Sequence, residues 1–192
     1  MRAVINRFFN HIADNPIELY SEFGLQHEMA LFIRINYPNY RVRLEYHVNR
    51  IFENPIVNFR KKEIDLFIID TENRRYAIEF KLHKDPGGVP KAMYHAIEDI
   101  KILEQLSELD INCFAVLVSS NPAFWNAQGA ANPEIYQYFN GEQVTIQTIE
   151  NHQMPYFLQA KGPIQLNGQY HANWRNYNDV EGLLWKYYVM EV

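Results

Sequence analysis

Several features that mark particular protein classes are scarce in this chain of 192 residues. Its single cysteine, Cys113, excludes an internal disulfide and fits a reducing compartment, so we expect a cytoplasmic protein. No apolar run approaches the roughly 18 residues of a membrane helix, and the first residues lack the apolar core of a signal peptide. We therefore expect no membrane partner. Because Cys113 lies in the apolar run 113–118, we expect a small buried residue rather than a nucleophile.

Familiar site motifs are also missing. The pair His27-Glu28 has no second histidine at the spacing of a zinc protease. The pair Gly87-Gly88 has no Lys-Ser/Thr partner of a phosphate-binding loop. No Gly-x-Ser-x-Gly elbow occurs. These absences argue against three large enzyme classes.

Charge is unevenly distributed along the chain, whose net charge is −5. Residues 1–101 hold 15 of the 18 Lys and Arg against 14 acids, whereas residues 102–192 hold 3 against 9. A surface that binds nucleic acid is therefore expected on the first half. The acidic total argues mildly against tight, indiscriminate binding of DNA.

The most informative stretch is 63–82, where two short apolar runs flank a polar break at 71–75. This pattern predicts two strands joined by a hairpin. Side chains alternate along a strand, so Glu79 and Lys81 share one face. If the turn is centred near residue 72 or 73, Asp65 lies across from this segment, about 5 Å away. Buried charges are costly unless they pair or bind a cation, which makes the three residues a candidate site.

Two helices are predicted before the hairpin. Apolar residues at helical spacing predict the first over residues 1–13. Pro16, capped by Asn15, opens the second, which runs to about Asn36 before Pro38 stops it.

The second helix contributes a further candidate, Glu28. By helical phase it lies on one stripe with Leu31, Phe32 and Ile35, which we expect to face the sheet. Glu28 is then a third acid beside Asp65 and Glu79. The alternative is a carboxylate at the rim of that face, with its oxygens in water.

The remaining pattern predicts an α/β protein with a mixed central sheet flanked by helices. A strand is expected at 40–49, a helix at about 90–109, a strand buried on both faces at 112–119, and strands at 143–149 and 183–192. We expect one domain over 1–192, with a core at about 17–119 and a C-terminal elaboration at about 120–192.

The order helix, strand, strand with Asp65, strand with Glu79 and Lys81, helix, buried strand resembles the PD-(D/E)XK nuclease superfamily. The resemblance covers about residues 17–119 and rests on the Asp-x13-Glu-x-Lys spacing; Ile64 stands where the family name has proline. It implies a restriction-endonuclease-like αβββαβ core with a C-terminal extension. It also implies a metal-dependent nuclease that hydrolyses phosphodiester bonds, with DNA favoured as substrate, of a restriction or defence type.

The resemblance further implies roles for single residues. Asp65, Glu79, Lys81 and Glu28 would be catalytic. Mg²⁺ or Mn²⁺ would be held by oxygens of Asp65, Glu79 and Glu28 and by the backbone carbonyl of Phe80, in keeping with the preference of Mg²⁺ for oxygen ligands. Lys81, about 7 Å along the strand from Glu79, would position an attacking water or help to deprotonate it.

Basic side chains of the first half are candidates for phosphate contacts: Arg41, Arg43, Arg60, Lys61, Lys62 and Lys91. A plain solvated face explains them as well. The aromatic C-terminal region (Trp174, Tyr177, Trp185, Tyr187 and Tyr188) is expected to be core or to contact a protein partner or a second copy of the chain.

Two other hypotheses remain. The chain is a catalytically inactive relative that binds nucleic acid or a protein through the same fold, or Glu79 and Lys81 are a structural ion pair in an unrelated fold. The inactive relative is expected to bind no divalent metal ion, so a metal-binding measurement separates it from a nuclease. The geometry of the hairpin tests the structural ion pair.

Overall fold

The computed structural model describes residues 1–15, 17–51, 63–84, 87–126, 134–140, 145–178 and 184–192. Its helices are α1 (Arg2–Asp14), α2 (Glu22–Asn36), α3 (Val89–Ser107) and α4 (Tyr156–Gln159). Its strands are β1 (Arg41–His47), β2 (Glu63–Ile69), β3 (Arg75–His83), β4 (Asn112–Ser119), β5 (Arg175–Asn178) and β6 (Leu184–Glu191). None of the helices in these ranges is both long and apolar enough to cross a membrane.

The strands form one mixed sheet in the order β1-β2-β3-β4-β6-β5. The pairs β1–β2 and β2–β3 are antiparallel, β3–β4 is parallel, and β6 is antiparallel to both β4 and β5. A parallel pair requires a crossover connection, which α3 supplies. The predicted α/β class, with a mixed sheet flanked by helices, is confirmed.

The turn between β2 and β3 is organised by Asp70. Its Oδ1 accepts the N–H groups of Glu72 at 2.8 Å and Arg74 at 3.0 Å, while Oδ2 accepts Arg74 Nε at 2.7 Å and Tyr76 Oη at 2.9 Å. Burial alone raises the pKa of this carboxyl group, but the hydrogen bonds outweigh burial and lower the pKa to about 2. The polar break predicted at 71–75 is therefore a turn held by one carboxylate.

Apolar clusters cover both faces of the sheet. One cluster joins α1 and α2 to the sheet and includes Phe8, Phe9, Met29, Ile33, Ile78 and Phe80. The other joins α3 and the C-terminal segments to the opposite face and includes Ala77, Met93, Ile97, Cys113, Phe139 and Tyr188. Since side chains alternate along β3, Glu79 and Lys81 lie in phase with Ala77, on the face that α3 covers.

The start of α2 corrects the sequence prediction. The helix ends at Asn36 as expected, but it begins at Glu22, because Ser21 supplies the cap: its Oγ accepts the N–H of Gly24 at 3.0 Å. Asn15 ends α1 instead of opening α2. Pro16, the predicted first residue, lies outside the described residues.

The orientation of α2 was also predicted wrongly. Its buried residues are Leu25, Gln26, Met29, Ala30 and Ile33. Leu31 and Ile35, assigned to the sheet-facing stripe, are 42% and 68% exposed. Apolar residues occupy both faces of this helix, so their spacing did not single out the packed side.

The C-terminal part is less regular than predicted. Within the described part of the strand expected at 143–149, only two isolated bridges form, Ile146 with Tyr170 and Ile149 with Ile164. The strand predicted at 183–192 is present as β6. Most of the aromatic C-terminal region packs inward: Tyr177, Trp185, Tyr187 and Tyr188 are each at most 5% exposed. These side chains therefore serve the core, and the exposed aromatic residues of this part are Tyr156 and Phe157.

Candidate active site

The open end of the β2–β3 hairpin brings two predicted site residues together. The last pair of the ladder at this end is Leu66 with Ile78, and extending this register places Asp65 across from Glu79. Both side chains are buried, at 3% and 1% exposure. This register centres the hairpin on residue 72, in agreement with the sequence prediction.

Beyond the last pair of the ladder, side-chain carboxylates accept the backbone N–H groups of β3. Alternate residues of a strand donate to the same neighbour, so Phe80 and Leu82 carry the next N–H groups on this side of β3. Asp65 Oδ2 accepts the N–H of Phe80 at 2.8 Å, and Glu22 Oε2 accepts the N–H of Leu82 at 3.3 Å. Since a buried N–H group without an acceptor is costly, the two acids stabilise the open end of the hairpin.

Lys81 lies between acids from two helices. Its Nζ is 3.0 Å from Asp99 Oδ2 on α3 and 3.2 Å from Glu22 Oε1 on α2, and it donates to the carbonyl of Phe80 at 3.3 Å. The lysine side chain is only 21% exposed. Because α2 and α3 pack on opposite faces of the sheet, Lys81 links both layers at the end of β3. We call Glu22, Asp65, Glu79, Lys81 and Asp99 the fork site.

The acid that α2 contributes is Glu22, whereas the sequence predicts Glu28. Glu28 Oε1 instead lies 3.6 Å from Nδ1 of its neighbour on the same helix, His27. The two acids are six positions apart, which is about 9 Å along a helix axis. Glu22 was missed because the predicted helix began at the wrong residue, which hid its position in the first turn.

Asp99 was also missed, although the sequence contains a signal for it. It is 7% exposed and lies on the packed side of α3, three residues after Ala96 and four before Leu103. Helical phase alone assigns it to the buried stripe, and an acid at such a position is a strong signal, because a carboxylate is rarely buried without a partner.

A small cavity of about 10 Å³ adjoins the lysine. Its polar lining comes from Glu79, Lys81, Asp99 and Tyr188, and the rest is apolar: Ala96, Ala115, Val116 and Leu117. Burial, together with the negative charge of Asp99, raises the pKa of the Tyr188 hydroxyl, which is therefore a neutral donor at ordinary pH. Tyr188 thus extends the site into the C-terminal elaboration, which the sequence did not indicate.

The predicted metal ligands are not gathered in this arrangement. Across the described parts of the chain, no group of three or more His, Cys, Asp or Glu side chains is placed to hold a metal ion, so Asp65, Glu79 and Glu28 do not form one. The carbonyl of Phe80, the fourth predicted ligand, accepts a hydrogen bond from Lys81. No chemical step at this site is therefore assigned to a metal ion.

The basic residues predicted to contact phosphate are scattered. Arg41 reaches Asn73 Oδ1 at 3.4 Å, at the turn end of the hairpin and away from Lys81. Arg43 lies 4.8 Å from the centre of the Tyr46 ring, and Lys91 is exposed near the start of α3. The triplet Arg60, Lys61 and Lys62 falls outside the described residues.

Cys113 behaves as the sequence predicts for a buried residue. It is fully buried in β4, and its Sγ lies 3.3 Å from the carbonyl of Ile111. Burial, with a smaller contribution from the charge of Glu79, raises the pKa of the thiol to about 12. Since the thiolate is the reactive form, this cysteine is a poor nucleophile.

Comparison with known proteins adds no assignment: no protein-family model, no curated protein and no solved structure matches this chain. What the molecule does must therefore be argued from the fork site itself.

Proposed function

We propose that the chain is a nuclease of the PD-(D/E)XK type, which hydrolyses phosphodiester bonds, with DNA as the favoured substrate and Mg²⁺ or Mn²⁺ as cofactor. The observation that carries the proposal is the placement of Asp65, Glu79 and Lys81 together at the open end of one buried antiparallel hairpin. The sequence spacing that suggested the resemblance thus corresponds to proximity in three dimensions.

The connectivity supports the same proposal. The order α2, β1, β2, β3, α3, β4 contains one antiparallel three-stranded meander followed by a helical crossover to a parallel neighbour. This is the order of elements expected for an αβββαβ core, and both motif strands, β2 and β3, are internal strands of the sheet.

Charge in the fork site supports an electrostatic role. The fork site holds four carboxyl groups and one ammonium group, which contacts two of them, so acid is in excess and an incoming cation would offset that excess. Lys81 is held from two sides, which limits its rotamers and keeps Nζ in one position. A positioned ammonium group can stabilise negative charge that develops on a phosphate during hydrolysis, without reorganising at that moment.

The metal requirement is a separate part of the proposal. A bound divalent cation would supply charge stabilisation and an activated water. Glu79, with Asp65 across from it, offers carboxylates for that purpose, although the present side-chain arrangement does not gather a third acid in the described part of the chain. Binding therefore requires at least one further ligand, from water or from a substrate phosphate, as is common for Mg²⁺.

The test is a cleavage assay on supercoiled plasmid, linear duplex, single-stranded DNA and RNA, each with Mg²⁺, Mn²⁺ or EDTA. We expect metal-dependent cleavage by wild type and at least a roughly 100-fold loss in Lys81→Gln and Asp65→Asn, in line with the loss of a group that stabilises the transition state. Since breaking a buried ion pair costs about 3–5 kcal/mol, each variant is first checked for a folded state by thermal denaturation. No cleavage by wild type, or equal cleavage by the variants, overturns the proposal.

Two further variants decide which helix acid takes part. Glu22→Gln alters the contact with Lys81, while Glu28→Gln changes an acid of the same helix whose carboxylate lies beside His27 instead. We expect the first substitution to lower activity and the second to leave it near the wild-type level. The reverse result would favour the residue that the sequence predicts.

A second candidate function is a non-catalytic module that binds nucleic acid or protein through the same fold. The specific observation in its favour is that three acids of the fork site have structural roles. Asp65 and Glu22 accept N–H groups of β3, and Asp99 forms an ion pair with Lys81. Titration calorimetry with Mn²⁺ separates the two candidates. Uptake that disappears in Glu79→Gln supports the nuclease, and absence of uptake supports the binding module.

A further inference from the structure

The hydroxyl group of Tyr188 is buried without a hydrogen-bond partner among the described residues. The residue lies in β6 across from Leu117, is 1% exposed, and packs its ring edge-on against Trp174 with the ring centres 5.1 Å apart. Its Oη is buried and has no hydrogen-bond partner within the described ranges. Leaving such a group unsatisfied costs about 1–3 kcal/mol, so a partner is required.

The surroundings of this hydroxyl group define that partner. Tyr188 lines the cavity of about 10 Å³ together with Glu79, Lys81 and Asp99. This volume is close to the smallest that holds one water molecule, and a buried water usually makes two to four hydrogen bonds. The lining offers one available donor, the tyrosine hydroxyl, because Nζ of Lys81 already lies within 3.3 Å of oxygens of Asp99, Glu22 and Phe80, one for each of its N–H groups. With the two carboxylates as acceptors, one water can make three hydrogen bonds here.

We propose that the cavity binds a single water molecule, and that Tyr188 is a positioning residue which acts through this water on Asp99 and hence on Lys81. The water accepts from Tyr188 Oη and donates to a carboxylate, so that the terminal strand contributes to holding the lysine of the fork site. A bare metal ion fits less well, because three acidic ligands are not gathered in the described part of the chain. The inference does not depend on nuclease activity.

The first test is a double-mutant cycle on stability with Tyr188→Phe and Asp99→Asn. If a water joins the two side chains, the substitutions are not additive, and we expect their coupling to change the unfolding constant by a factor of three or more. Tyr187→Phe is the matched control, since the neighbouring tyrosine is equally buried but lies on the opposite face of β6. Its cycle with Asp99→Asn should be additive. If Asp99→Asn does not fold, Glu79→Gln replaces it.

The single variant also distinguishes a bound water from an unsatisfied hydroxyl group. Removing an unsatisfied hydroxyl group is neutral or stabilising, whereas removing one that holds a water is destabilising. We expect Tyr188→Phe to lower the melting temperature by roughly 2–4 °C. An unchanged or higher melting temperature, or additivity in the Tyr188 cycle, overturns the proposal.

A crystal structure at high resolution identifies the occupant directly. Density for one water within hydrogen-bond distance of Tyr188 Oη supports the proposal. Empty density at this position, in crystals grown without a divalent metal, overturns it. If the cleavage assay finds activity, Tyr188→Phe should lower kcat with little change in KM, as expected for a residue that positions Lys81 without touching substrate.

Discussion

Replacing Glu104 by glutamine tests how the C-terminal elaboration is attached to the core. This acid of α3 is 4% exposed. Its carboxylate accepts the N–H groups of Asn167 and Gly168, each at 2.8 Å, and the hydroxyl of Tyr170 at 2.8 Å, and Lys101 Nζ lies 3.2 Å away. Four donors, three from the segment 167–170 and one from α3 itself, thus converge on one side chain.

The size of the effect follows from those donors. Burial alone raises the pKa of Glu104, but the hydrogen bonds more than offset burial and the net shift is downward, so the group is charged at neutral pH. Glutamine keeps the shape but turns an NH₂ group toward at least one N–H donor. Losing charge-assisted bonds and leaving a buried donor unsatisfied should cost about 2–4 kcal/mol. For a chain of this length that corresponds to a melting temperature lower by roughly 4–16 °C.

Thermal and urea denaturation measure this loss, with Glu108→Gln as control. Glu108 caps the C-terminal end of α3, one turn beyond Glu104; its side chain is exposed and lies 3.4 Å from the Asn167 side chain, so we expect a change within about 0.5 kcal/mol. Because the folded pKa of Glu104 is lower than its unfolded value, its contribution is complete above the unfolded pKa, near 4.5, and is lost as the pH falls through the folded pKa. Two results would refute the reasoning. One is a loss of unfolding free energy below about 0.5 kcal/mol in Glu104→Gln, which is the size expected for a surface substitution. The other is a stability difference between Glu104→Gln and wild type that persists unchanged in acid.

Three smaller predictions concern the turn, the cap and the thiol. Asp70→Asn should destabilise the chain at neutral pH, and this difference should vanish as the pH falls from about 4 toward 2, since the pKa is lowered from 3.8 to about 2; urea denaturation across this pH range checks it. Ser21→Ala should cost about 1 kcal/mol of stability, measured by thermal denaturation, because it removes the hydrogen bond to the N–H of Gly24. Native Cys113 should react with iodoacetamide at least about 100-fold more slowly than the urea-unfolded chain, and a native rate near the unfolded one would contradict its burial.

Elements with a clear period were predictable from the sequence. The buried run of β4 and the hairpin of β2 and β3 follow directly from apolar runs and a polar break, and the structure bears them out. The packed side of α3 was also predictable, since Met93, Ile97 and Ile100 recur at helical spacing. The buried strands are marked by continuous apolar runs, whereas in α3 one face is clearly more apolar than the other, so only one orientation buries it.

The acid that α2 contributes to the candidate site was not predictable in the same way. Apolar residues surround α2, so its phase is ambiguous, and the choice of Glu28 rested on a stripe that the structure does not bury. The true start of the helix depends on a cap at Ser21, and that cap brings Glu22 to Lys81. Long-range contacts of this kind have no local signature.

By itself the sequence determined the central hairpin and the shared face of Glu79 and Lys81, because the polar break marks the turn and side chains alternate along a strand, whereas the register centred on residue 72 came from the structure. It also determined that Cys113 is buried. Only the tertiary structure decided which acids meet the lysine, because Glu22 and Asp99 come from helices on opposite faces of the sheet, 59 and 18 positions away in the chain. It also brought Tyr188, near the end of the chain, to the same cavity, since a site between layers is assembled by packing.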